Sequence, residues 1–210
     1  MAKLRVNVYI DGFNLYHSTL QHTHPDFRWL NLLALSGQFL NPDTEEIGDV
    51  YYFSALTTWV EEKAKKHLLY IHALRSTGVK VVLGKFTEKD KKCPRCHQFY
   101  KTHEEKKTDI NIAITLLADA VQDKFDTALI LSGDSDLAPV TTKLKQLCPG
   151  KKIGIIIPKG QYAVNLREHA DYFKKIQTRD LKKSLLPQEI TYNGKMITAP
   201  AGWLPEVNKV

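Results

Sequence analysis

Four aspartates stand where a short apolar run stops or a helical pattern begins. Asp11 follows the run Arg5 to Ile10 in YIDGFN, and Asp134 and Asp136 follow ALILS in SGDSD. Asp109 opens a helical pattern in KKTDINIAI. If the two runs are neighbouring parallel strands, these carboxylates converge at one sheet edge. Carboxylates crowded within a few ångströms raise one another's pKa, and a cation relieves the crowding. Hard oxygen donors suit Mg²⁺ or Mn²⁺, which keep waters and accept phosphate oxygens. With Asn14 at a fixed reach from Asp11, one such ion could make a bound water more nucleophilic and a second could stabilise a leaving oxygen. A blander role stands beside it, because Asp after a strand also forms turns and caps helices. Asp134 could cap the next helix with Asp136 in its first turn, and Thr108 or Asp109 could cap the helix they begin. Capping does not explain why the pattern repeats at two strand ends. No Gly-x-Ser-x-Gly elbow, Walker pattern or dinucleotide glycine pattern is present.

A second constellation is Cys93-Pro-Arg-Cys96, followed by His97 and His103. CxxC brings two thiolates to one Zn²⁺, and His103 is expected as the third ligand of a structural site. His97, Glu104, Asp90 or a distant histidine stays open as the fourth. CPRCH also matches a c-type haem attachment motif, and a redox pair or no ligand at all remains open. Cys148 reads as a small buried hydrophobe. The other histidines, His17, His22, His24, His67, His72 and His169, form no spaced ligand set.

The charge is unevenly placed. Residues 61–107 hold thirteen Lys and Arg against six Asp and Glu, a surplus of seven that equals the net +7 of the whole chain. Such a region favours a polyanionic partner through counterion release. Lys89, Lys91, Lys92, Arg95, Lys101, Lys106 and Lys107 interleave with Phe99 and Tyr100, a mixture that follows a phosphate backbone and stacks on bases. The two aromatics could equally be a small loop core. Lys107 is expected near the scissile phosphate, and Lys159 or Arg167 could act likewise, although a salt bridge suits Arg167. With 43% hydrophobic and 25% charged residues the chain suits a globular domain. No run approaches the ~20 apolar residues of a membrane span, and no signal-like segment precedes the first strand, so a cytoplasmic location is expected.

The elements that must position these groups alternate. Strands are expected at Arg5–Ile10, Asp49–Leu56, Val79–Leu83, Phe125–Ser132 and Lys152–Ile157, with an edge strand near Tyr172–Ile176. Helical spacing separates them over 13–20, 30–39, 59–76, 109–121, about 137–147 and 162–169. This is an α/β pattern with a mostly parallel sheet covered on both faces, and ligands bind beyond the carboxyl ends of such strands. Residues 87–106 break the rhythm and read as a polar Cys/His insertion. A domain over 1–180 and a tail over 181–210 follow, with Asn193-Gly194 signalling a type I′ hairpin in the tail. The hairpin and Trp203 are expected to pack on the domain or to form a homodimer contact.

VYIDGFNLY, KKTDINIAI, LILSGDSDLAPVTTKL, KIGIIIP and AVNLREHADYF, in that order, resemble the NYN domain family over roughly residues 4–176. The likeness is to its LabA-like branch within the PIN-like nuclease superfamily. The resemblance implies a PIN-like Rossmannoid fold, Mg²⁺ or Mn²⁺ binding, and ribonuclease activity on RNA, with internal cleavage expected. It makes Asp11, Asp109, Asp134 and Asp136 the acidic metal site, with Asn14 beside it. Ser132 and Ser135 would hydrogen-bond behind the carboxylates or join Lys92, Arg95 and Lys107 in holding substrate. LabA-like proteins often carry a cysteine-bearing insertion before the second acidic block, in keeping with zinc here. A silent RNA-binding or regulatory module is the alternative, and a nucleotide hydrolase or phosphatase a third reading.

Overall fold

The computed structural model describes residues 2–21 and 24–205, so His22 lies outside the described residues. Six strands form one sheet: β1 (Leu4–Asp11), β2 (Glu45–Ser54), β3 (Lys80–Leu83), β6 (Thr127–Leu131), β7 (Lys152–Ile157) and β8 (Tyr172–Lys175). Their spatial order is β3-β2-β1-β6-β7-β8. All five pairings are parallel. The chain builds outward from β1 in one direction and from β6 in the other, so the order reverses between these two strands. The crevice at such a reversal is where open α/β sheets bind ligands.

Side-chain alternation decides what faces that crevice. Val6, Val8 and Ile10 enter the core on one sheet face, with Trp29, Leu30, Tyr70 and Leu74. Tyr9 enters the core on the other face, with Phe53, Ile112, Leu116, Ile130 and Ile155. A period of two therefore sends Asp11 to the face of Tyr9. That face is covered by α4 (Thr108–Val121) and α5 (Ala138–Leu147), and α4 buries Ile112 and Leu116 one turn apart. The opposite face is covered by α2 (Leu32–Gly37) and α3 (Glu61–Ser76). The remaining helices, α1 (Gly12–Leu15), α6 (Val164–Arg167) and α7 (Thr178–Lys182), are single turns, and a π-helical segment, Tyr16–Leu20, prolongs α1.

Residues 87–106, expected as a polar Cys/His insertion, form regular structure that the sequence did not announce. They belong to an antiparallel hairpin of β4 (Lys85–Lys92) and β5 (Phe99–Lys106), paired from Lys85↔Lys106 at its base to Lys92↔Phe99 at its tip. Its strands hide no apolar face, so no hydrophobic alternation announced them. Cross-strand ion pairs join Lys101 to Glu88 at 2.6 Å and Lys89 to Glu104. The tail pairs β9 (Glu189–Tyr192) with β10 (Lys195–Thr198) about Asn193 and Gly194, both at positive φ. It packs on the domain: Ile197 is buried, and Trp203 meets Trp29 and Tyr70 at ring separations of 6.3 and 6.1 Å.

An ion pair ties the two central strands at their amino ends. Asp126 accepts from the Arg5 amide at 2.7 Å and from its guanidinium at 2.9 and 3.1 Å. The guanidinium holds the Asp126 carboxyl down at about 2, against an ordinary 3.8. A carboxyl depressed on folding contributes stability above its ordinary value and loses it as pH falls through the folded one. We therefore expect Asp126→Asn to lower the urea midpoint at pH 7, with the difference from wild type shrinking between about pH 4 and pH 2.

Candidate metal centre

At the reversal point the carboxyl ends of β1 and β6 lie side by side, with Ile10 paired to Leu131. The next residues are Asp11 on one strand and Ser132 on the other. The Ser132 hydroxyl, fully buried, donates to Asp11 Oδ2 at 3.0 Å and accepts from the Asp134 amide at 3.0 Å. Asp11 Oδ1 accepts from the Asn14 amide at 3.0 Å, which caps α1. Asn14 Oδ1 accepts from the Gly133 amide at 2.8 Å. The first and the SGDSD turns are thus stitched together by three side chains. Gly12 makes the approach possible, because a Cβ there would meet the Tyr52 ring at 2.5 Å and the Phe53 carbonyl at 2.7 Å.

Asp109 comes from the first turn of α4, where the macrodipole favours a carboxylate. Ligand oxygens of Asp11, Asp109 and Asp134 all lie within 4.8 Å of one another, the one such group of metal donors among the described residues. Around an octahedral ion with bonds of about 2.1 Å, opposite oxygens stand about 4.2 Å apart, a span of the same scale as this group. An all-carboxylate donor set fits a hard divalent cation and not a thiophilic one. The charges feel one another. Burial pushes Asp11 up to about 6, with Asp109 and Asp134 adding to it and the Asn14 amide and Ser132 hydroxyl opposing. Burial also raises Asp109, followed by Asp134, Glu105 and Asp136.

The other expected site residues divide. Asp136 is exposed and lies outside the three-carboxylate group; its amide donates to Asp134 Oδ1 at 2.9 Å, so Asp134 caps the short turn as well as joining the cluster. Ser132 serves the carboxylates and is too buried to touch substrate, while Ser135 is exposed. Neither Thr108 nor Asp109 caps α4: Lys107 holds that position at φ 79°, and Glu105 accepts from the Thr108 amide at 3.1 Å. Glu105 is the acidic neighbour that sequence reasoning passed over, hidden in a run of mixed charge. Lys107 lies exposed at the rim. Lys92 and Arg95 sit at the hairpin tip, seven strand residues or roughly 23 Å from its base. Lys159 is near His24 at 3.2 Å. Arg167 stacks over Phe173 at 3.7 Å instead of forming a salt bridge.

His103 does not join the cysteines. It pairs with Glu88, five residues along β4 from Cys93, and its ring stacks on Trp59 at 3.6 Å. Cys93 and Cys96 are free in the turn that closes the hairpin, where Cys93 accepts from the His97 amide and donates to the Gln98 carbonyl, both at 2.9 Å. Backbone amides of Cys96 and Arg95 hold the Cys93 thiol below its usual range. Phe99 and Tyr100 are exposed and form no loop core.

Ser132 offers the cleanest probe of this framework. Ser132→Ala removes a donor from the buried Asp11 carboxylate and an acceptor from the Asp134 amide. It is expected to cost about 1–3 kcal/mol in urea unfolding at neutral pH without metal.

The fold is shared with a solved structure. A protein of unknown function from Vibrio parahaemolyticus superposes with a TM-score of 0.56 at 18% identity, over 88% of this chain and 97% of that one, a likeness of fold alone. A relative from Pseudomonas putida, named 6-hydroxy-3-succinoylpyridine 3-monooxygenase HspA, is 26% identical over 191 aligned positions. The match takes in 74% of this chain and 60% of that protein. The NYN domain model matches residues 5–177, which include all three clustered carboxylates, and the chain belongs to the NYN domain family.

Proposed function

We propose that this chain is a metal-dependent ribonuclease of the LabA-like, PIN-like type, with Mg²⁺ or Mn²⁺ held by Asp11, Asp109 and Asp134. The observation that carries the reading is the meeting of these three oxygens at the sheet's reversal point. Bound there, the ion would supply Lewis-acid stabilisation of phosphate charge and a more acidic water. The chain's own part is to hold the donors: Ser132 and the Asn14 amide keep Asp11 in place, and Asp136 adds negative potential from the rim. Lys107, exposed two residues before Asp109, is placed to meet the substrate phosphate. Among the residues of the hairpin, Lys85, Lys91, Lys92 and Arg95 are not engaged in its ion pairs and remain for a phosphate backbone.

Single-stranded RNA incubated with Mn²⁺ should be cleaved, and EDTA should abolish the cleavage. Asp134→Asn is expected to reduce the rate by at least about a hundredfold, as loss of a ligand or its supports does in metal sites. RNA binding without cleavage under these conditions would favour the silent module instead. A second reading, favoured by the name of the Pseudomonas relative, is an enzyme acting on a small hydroxypyridine; consumption of that compound with RNA left intact would select it.

For the turn at the hairpin tip we propose Zn²⁺ bound through Cys93 and Cys96, with the role of His103 withdrawn. The amide donors around Cys93 support a thiolate there. Elemental analysis should find zinc in purified protein and less of it in Cys93→Ser. Zinc-free wild type would end this assignment.

A further inference from the structure

A cavity of about 360 Å³ opens on the other side of Gly12 from the carboxylates, between the π-helical turn after α1 and helix α3. That size is within the range of small-ligand sites, about 300–1,000 Å³. Its walls include Phe13, Tyr16, Tyr52 and Tyr70, so a flat ring would meet aromatic surface on several sides. A neutral polar group stands among them. Burial holds the His67 imidazole down at about 4, and its Nε2 lies 3.3 Å from Tyr52 Oη and 3.5 Å from Ser54 Oγ. An uncharged imidazole of this kind can both donate and accept toward a heterocycle edge.

The same cavity is lined by three cations, Arg28, Lys63 and Lys66. Arg28 Nε is buried and has no hydrogen-bond partner among the described residues, an orphan donor that an anion would satisfy. On α3, Lys65 pairs with Glu61 at 2.6 Å, whereas Lys63 and Lys66 have no ion-pair partner among the described residues. Aromatic walls beside unpaired cations suit a planar ring joined to a phosphate. The position suits it too. Gly12 lines the cavity and directly follows Asp11, about 3.8 Å away along the backbone.

We infer that the cavity binds one nucleotide of the substrate, its base among Phe13, Tyr16 and Tyr52 and its phosphate on Arg28, Lys63 and Lys66. A strand crossing the sheet's carboxyl edge then lays the next phosphodiester over Gly12, beside the carboxylates. The inference rests on the ribonuclease reading and names its substrate subsite. The same nucleoside-phosphate chemistry occurs in RNA and in free nucleotides, and binding experiments separate the two sources.

The test is binding in EDTA, where cleavage cannot occur. Each of the four nucleoside 5′-monophosphates is titrated by calorimetry and used to displace a fluorescein-labelled RNA. We expect at least one of them to bind and to compete with the RNA. In Lys63→Ala/Lys66→Ala that binding should weaken on the order of tenfold, as loss of two charge-assisted contacts gives. Both lysines are exposed, so the variant should melt as wild type does. Lys91→Ala/Lys92→Ala, which removes the same charge at the hairpin tip, should weaken RNA binding and leave mononucleotide binding unchanged. If no monophosphate binds, or if both lysine pairs act alike, the assignment of the cavity is overturned, whether or not Mn²⁺ then permits cleavage. Binding of a hydroxypyridine carboxylate but of no nucleotide overturns it as well. Nucleotide binding without cleavage after Mn²⁺ is added upholds the cavity and removes the ribonuclease activity alone.

Discussion

Three carboxylates from distant parts of the chain are forced together at the carboxyl edge of a parallel sheet, and one of them, Asp11, is 4% exposed. Burial, first, pushes Asp11 up to about 6, and the like charges of Asp109 and Asp134 add to the rise. The fold tolerates the arrangement because each carboxylate has fixed donors or a favourable dipole. Asp11 takes the Ser132 hydroxyl and the Asn14 amide, Asp134 takes the Asp136 amide, and Asp109 sits in the first turn of α4. What remains uncompensated is net negative charge pointing into a crevice, which is what a divalent cation requires.

The rest of the molecule arranges positive charge around that crevice without filling it. Lysines in the hairpin are partly neutralised by its own glutamates, which hold the strands together where no apolar face does. Of those left over, Lys91, Lys92 and Arg95 lie toward the tip and Lys85 at the base. A second positive group, Arg28 with Lys63 and Lys66, lines the aromatic cavity on the far side of Gly12. A negative centre between positive flanks is the charge pattern on which the proposed substrate rests.

Much of this arrangement was legible along the chain. Apolar runs ending in Asp11 and in SGDSD announced both the strands and the carboxylates at their carboxyl ends, since a central parallel strand must be apolar on both faces. Asp109 was legible because it opens a long apolar helical pattern. Asp136, two residues after Asp134 and exposed, stands outside the group of three mutually close carboxylates, although its charge is felt by Asp109. The hairpin escaped notice because its alternation is between charged residues, and period-two signals are read from apolar ones. Once its register is set, His103 falls opposite Glu88, and nearness in sequence to Cys96 no longer implies nearness in space.

The sequence by itself determined the α/β alternation, the sheet faces and the placing of carboxylates at strand ends, because these depend on local periodicity and the next residue. Only the tertiary structure decided which strands adjoin and which carboxylates meet. It alone built a cavity from residues as far apart as Gly12, Lys66 and Trp203. Such contacts arise from strand order and helix packing, which join distant segments and leave no periodic trace along the chain.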